Sequence, residues 1–211
     1  MKKYLDYILI TIGLCLSFLP LSILTKSLRS CRDKIYSGYL RRKFAHMGNS
    51  FFLWHPHSLI GTEYIHIGDG CIFESGLQLS AWSSEGKTPR IVIGNDCLIR
   101  YNAHITASNC ITIGNHLLTG TNVFITDNSH GLTDSILPEI PPINRQLYSK
   151  GSVSIGDNVW LGNNVCIMPG VTIGDGAIIG ANSVVTHDIP AYCVAAGIPS
   201  KIIKKIEIKQ S

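Results

Sequence analysis

Proton transfer near neutral pH falls to groups that titrate there, and the chain carries eight histidines. His130 stands in the polar string ITDNSHG, with Asp127 and Asn128 just before it. A positioned histidine can take the proton of a hydroxyl as that oxygen attacks an acyl carbonyl, an effect worth about 10²–10⁴-fold in rate. Asp127 and Asn128 are of types that hydrogen-bond a sugar, and equally of types that close a turn. His46, His55, His57 and His66 come early, with no partner at metal-ligand spacing, while His104 and His116 fall in later repeats, where His104 would border an acceptor. The seven cysteines (Cys15, Cys31, Cys71, Cys97, Cys110, Cys166, Cys193) form no CxxC pair. Their odd number and irregular spacing read as reduced thiols of a cytosolic protein. None is placed to serve as a thiol nucleophile beside His130.

These groups need a frame, and the sequence supplies one by repetition. From residue 153 it reads VSIGDN VWLGNN VCIMPG VTIGDG AIIGAN SVVTHD, so that Ile155, Leu161, Ile167, Ile173, Ile179 and Val185 recur every six residues. Four places after each stands a small or β-branched residue: Val159, Val165, Val171, Ala177, Ser183 and Ile189. The same period runs upstream through Ile113, Thr119 and Ile125, through Ile93, Ile99 and Ile105, and more weakly through Ile67, Phe73 and Leu79. Of these fifteen positions only Thr119 is not apolar. A helix repeats apolar residues at three and four, a simple strand at two. A period of six, broken by Gly-Asp and Gly-Asn, predicts very short strands joined by turns that Gly and Asn accommodate. Three hexads close a coil, and coils become stable only by stacking.

The register also shows where the coil is interrupted. Eight extra residues sit between Leu79 and Ile93, two between Ile105 and Ile113, and twenty-four between Ile125 and Ile155. An excursion of that length from a regular solenoid is commonly functional, and it holds His130.

The composition agrees: 45% apolar and 15% charged residues with 20 glycines suit a turn-rich, repetitive β fold in 211 residues. A net charge of +4 is too small to argue for nucleic acid, and the cations gather at the two ends, where lipid headgroups or cofactor phosphates are the better partners.

The run from Ile155 to Ile206 resembles the C-terminal signature of the hexapeptide-repeat acetyltransferases, a family that includes galactoside, maltose and nodulation acetyltransferases and the O-acetyltransferases of polysaccharide biosynthesis. The resemblance covers roughly residues 60–205. It implies an all-β fold, a left-handed parallel β-helix of about five coils, assembled as a homotrimer with acetyl-CoA between subunits. It also implies that His130, seventeen residues after Ile113 of a TIG motif, is the general base. A sister family of the same fold, the γ-type carbonic anhydrases, holds zinc with histidines five apart, but residues 125 and 135 are not histidine, so no metal is expected.

By motif, the resemblance assigns cofactor contacts to Trp160, Gly162, Asn163, Gly180, Ala181, Thr186, His187, Lys201 and Lys204. Trp160 faces outward in the hexad register and would line the channel near the histidine of a neighbouring chain. His187 replaces a lysine of the galactoside type, and Lys201 and Lys204 stand where arginine is frequent, which gives up bidentate phosphate geometry. For the acceptor, counting one coil back from His130 indicates Asn102, beside Asp127 and Asn128, with Arg100 a departure from the family pattern.

The expected organisation is an apolar and basic helical segment over 1–45, a β-helix catalytic domain over 46–195 with a long loop at 126–152, and a cofactor-contacting tail over 196–211. Ile8 to Leu24 is apolar apart from Thr11, Ser17 and Ser22, short for a spanning helix and interrupted by Pro20. Residues 4–24 read as a membrane-associating segment, or else as a helix packed on the open end of the solenoid. The reading is therefore an acetyl-CoA-dependent O-acetyltransferase acting on a saccharide, lipid-linked if the membrane reading holds, in surface-polysaccharide assembly at the cytoplasmic face of the inner membrane. Acetylation of an amine on a sugar or antibiotic, and a catalytically silent β-helix scaffold, are the alternatives.

Overall fold

In a computed structural model, the structure describes residues 2–16, 21–53, 56, 58–83, 88–132 and 139–207, the side chains of 2–3, 15–16 and 21–26 excepted. Residues 17–20 of the apolar segment, and His55 and His57, lie outside the described residues. Two helices, α1 (Lys2–Leu16) and α2 (Leu21–Arg41), precede a three-faced coil. The first face runs from His46–Met47 through Ile65–Ile67, Arg90–Ile93, Cys110–Ile113 and Val153–Ile155 to Thr172–Ile173, every neighbour parallel. The second starts at Phe51–Phe52, passes Leu118–Thr119, Trp160–Leu161 and Ile178–Ile179, and ends in the antiparallel pair Cys193–Gly197 and Ser200–Lys205. The third runs from Ser58–Ile60 through Gln78–Ala81, His104–Ala107, Phe124–Thr126 and Cys166–Ile167 to Val184–Val185.

The hexad residues form the interior rows of this prism. Ile67, Ile93, Ile113, Ile155 and Ile173 stack on the first face, Phe73, Ile99, Leu161 and Ile179 on the second, and Leu79, Ile105, Ile125, Ile167 and Val185 on the third, all buried. Each such side chain contributes about 1.5–3 kcal/mol relative to exposure. The small residues four places on, among them Val159, Val165, Ala177 and Ser183, are buried at or next to the corners, where three faces leave little room. Thr119, the one polar exception, is also buried, and its hydroxyl accepts the backbone N–H of Arg100 at 2.9 Å.

Among the described residues there are six coils, one more than the hexads indicate. The added first coil holds its register with Met47 and Phe52, five residues apart, and so escapes a search for sixes. As a result His46 and His66 do not precede the solenoid but sit opposite each other on its first face. Burial, the Arg90 cation and His46 together push the His66 imidazole below its ordinary pKa. The open end is closed by α2. Leu40 and the following Phe44 are buried, Phe44 stacks on Phe52 at 5.8 Å and Phe52 on Phe73 at 4.7 Å. The N–H of Phe52 donates to Ser37 Oγ at 2.9 Å, which satisfies an edge strand that has no coil before it.

Candidate active site

The chain leaves the third face at Asp127 and returns to the first at Val153. Asp127 is fully buried, and its carboxylate accepts the backbone N–H groups of Ser108 (2.8 Å) and Asn109 (2.9 Å) and the side-chain amide of Asn128 (3.1 Å). Both oxygens are engaged inside the protein, where they anchor the root of the excursion to the preceding corner. Asn128 is held further by its amide donating to the Thr106 carbonyl at 3.2 Å and its N–H to Thr126 Oγ1 at 3.1 Å.

From this root, Ser129–His130 pairs antiparallel with Leu147–Tyr148, with His130 opposite Leu147. The excursion folds back over the third face, and the space between is a cavity of about 500 Å³ lined by His130, Trp82, His104, Phe124, Arg145 and Asn128, among others. Trp82 is fixed by its indole N–H donating to Thr106 Oγ1 at 3.1 Å. Arg145 is fixed by its Nε–H donating to the Ile140 carbonyl at 2.9 Å, with the base of its side chain close to Gly131. His104 tilts against Phe124 with centroids 5.1 Å apart, and burial lowers its pKa, keeping the ring neutral near pH 7. His130 itself is exposed, with its imidazole available to a ligand in the cavity.

A second cavity of about 410 Å³ lies on the other side of Asn128 and Ser129, which line both. Its walls are Tyr148, Lys150, Met168, Pro169 and Thr186. Thr186 Oγ1 is 2.8 Å from Nδ1 of the exposed His187. One strand, Ser129–His130, thus separates a space walled by aromatics from a space bordered by a lysine and a hydroxyl. Two substrates could meet across it.

The remaining residues chosen by motif lie elsewhere in this chain. Trp160 is 50% exposed on the second face, in register with Ile178, then Val194, then Lys204. Lys201 is exposed on the same final strand, opposite Ala196. Gly162 and Asn163 form the corner between the second and third faces. Asn163 Oδ1 accepts the Thr121 N–H at 2.9 Å, and a Cβ on Gly162 would come within 2.6 Å of the backbone of Ala181. A Cβ on Gly180 would meet Ala196 at 2.8 Å, so both glycines are demanded by coil spacing alone. Asn102 belongs to that corner as well. It adopts φ 57° and donates to Asn122, which continues to Asn164 and Asn182 in a ladder of 3.2, 3.0 and 2.9 Å. It does not line the His130 cavity of the same chain. The cavity is lined by His104, which the sequence reading placed beside an acceptor, and by Trp82, Phe124 and Arg145, which the repeat count passed over because the excursion folds back by two coils. Among the described residues no group of three or more metal-ligating side chains occurs.

Comparison with known proteins agrees with this architecture. The family model for bacterial transferase hexapeptide, six repeats, matches residues 152–187. The Escherichia coli K12 protein WbbJ, named for O-acetyl transfer in lipopolysaccharide biosynthesis, is 41% identical over 145 residues, which span 67% of this chain and 71% of that one. Galactoside O-acetyltransferase of the same strain is 34% identical over 154 residues, covering 71% of this chain and 68% of that one. A hexapeptide-repeat acetyltransferase of Vibrio cholerae O1 biovar eltor, solved with acetyl coenzyme A, superposes with a TM-score of 0.55 at 28% identity, over 83% of this chain and 79% of that one.

Proposed function

This chain belongs to the bacterial hexapeptide-repeat transferases and is an acyltransferase, and from that premise we propose that it moves the acetyl group of acetyl-CoA onto a saccharide hydroxyl with His130 as general base. The observation that carries the proposal is the pair of cavities meeting at Asn128 and Ser129, with His130 opening into one of them. The acceptor hydroxyl lies against His130 in the larger space, where Trp82 and Phe124 offer ring faces to a sugar. As the hydroxyl oxygen attacks the thioester carbonyl, its proton passes to the His130 imidazole. The tetrahedral oxyanion then collapses, the C–S bond breaks, and the imidazolium returns the proton to the departing thiolate. No covalent acyl-enzyme is needed.

Trp160, Gly162, Asn163, Gly180, Ala181, Lys201 and Lys204 lie on the second face and its corner with the third, while Thr186, His187 and His130 lie at the opposite edge of the third face. One acetyl-CoA touching both sets must bridge two copies of the chain. A homotrimer of left-handed coils, the cofactor lying in each groove, satisfies this. It is supported by the outward row Phe51, Ile72, Leu98, Leu118, Trp160 and Ile178, which is apolar in every coil of the second face. The likeness to WbbJ supports an acceptor in surface-polysaccharide assembly, and the cytosolic supply of acetyl-CoA supports work at the cytoplasmic side. Thiol release and product analysis with sugars, lipid-linked oligosaccharides and amines test the proposal: an acetyl ester on a saccharide is expected, and exclusive amide formation would contradict it.

A further inference from the structure

We infer that α1 and the outer stripe of α2 dock this protein on a bilayer surface bearing anionic headgroups. Tyr7, Ile8, Leu9 and Ile10 of α1 are 76%, 54%, 57% and 63% exposed. Four consecutive helical residues, each about 100° on from the last, sample the whole circumference, so α1 is apolar and open on every side. A helix of that kind belongs in an apolar medium.

α2 repeats the signal in a different form. One side, through Asp33, Ser37 and Leu40, is buried against the first coil. The other side carries Leu28, Ile35 and Tyr39, 61%, 69% and 63% exposed, at spacings of seven and four that align them in one stripe. Exposed Arg42 and Lys43 follow the stripe at its C-terminal end, and the Lys43 ammonium lies 4.8 Å from the centre of the Tyr39 ring, whereas Arg32 is paired with Asp33 at 2.6 Å. An apolar stripe edged by long cations is the form of a helix lying in the headgroup region, its cations snorkelling to phosphate. In sequence, Lys2 and Lys3 begin α1.

The 15 residues of α1 extend about 22 Å, against a hydrocarbon core of about 30 Å, and among the described residues no helix is long and apolar enough to cross a membrane. Because α2 caps the first coil, docking brings that end of the stack, and not the Ser200–Lys205 hairpin, toward the lipid.

Flotation of the full chain with vesicles tests this. The wild type should rise with vesicles of phosphatidylcholine and phosphatidylglycerol, less with phosphatidylcholine alone, and less again at high salt. The double variant Ile10→Asp/Ile35→Asp, both positions solvent-facing, should float about tenfold less, with unchanged coil unfolding and unchanged activity on a soluble saccharide. A wild type that stays at the bottom of the gradient, or a double variant that floats equally well, overturns the inference. Equal flotation on phosphatidylcholine alone overturns its anionic part. A double variant of lower oligomeric mass overturns it too, by assigning the stripe to a second copy of the chain.

Discussion

Two residues separate Asp127 from His130, and the backbone turns the first inward and the second toward a cavity. Replacing Asp127 with alanine strands the N–H of buried Ser108 and that of half-buried Asn109. With charged hydrogen bonds worth about 1.5–3 kcal/mol each, a urea titration should read a loss of about 3 kcal/mol, together with slower turnover because Ser129–His130 hangs from that root. His104 makes a pH prediction. Its folded pKa is lowered by burial, so below the unfolded value of about 6.5 the unfolded chain binds the proton first and stability falls with pH. His104→Phe should remove part of that fall between neutral and mildly acidic pH, measured as the unfolding midpoint. His130 was legible in the sequence because it stands at a fixed distance from a repeat motif inside the longest break. The inward turn of Asp127 was not legible, since a carboxylate before a histidine suits a sugar contact as well as a turn. Counting coils back to Asn102 did not find the residues that line the His130 cavity, because it assumes a regular stack, whereas the excursion doubles back across the third face.

At the scale of elements, the period of six determines nearly everything from Ile65 to Val185, because each strand is two to four residues long and its inward side chain has one place to go. Corner glycines carry the same constraint. Gly162→Ala forces a Cβ to 2.6 Å from the Ala181 nitrogen, and the coils above and below cannot part without breaking their ladder. The expected cost is about 1–3 kcal/mol, read as a lower thermal midpoint. Gly38, in α2, is the contrast: nothing stands within 4 Å of an added Cβ, so Gly38→Ala should stabilise the chain by about 0.5–1 kcal/mol through helix propensity. The first coil and the terminal hairpin were illegible by repetition. The first departs from the period, and the second turns antiparallel, a pairing that no hexad encodes.

Across the whole molecule, the contrast between faces is the informative feature. The outward row of the third face runs Ser58, Gln78, His104, Phe124, Cys166 and Val184, that of the first includes His66, Thr112, Ser154 and Thr172, and that of the second is apolar in coil after coil. Leu118→Asp, at a site 39% exposed in the single chain, should leave the coil folded but reduce the mass measured by light scattering from that of the proposed trimer toward monomer, with loss of transfer. Beneath the assembly lies the claim on which the account depends, that His130 takes the acceptor's proton. The most direct measurement is kcat for coenzyme A release with a saccharide acceptor, for wild type and His130→Ala at matched folding and oligomeric mass. The account predicts a fall of about 10²–10⁴-fold with KM for acetyl-CoA little changed, and equal turnover by the two proteins would contradict it.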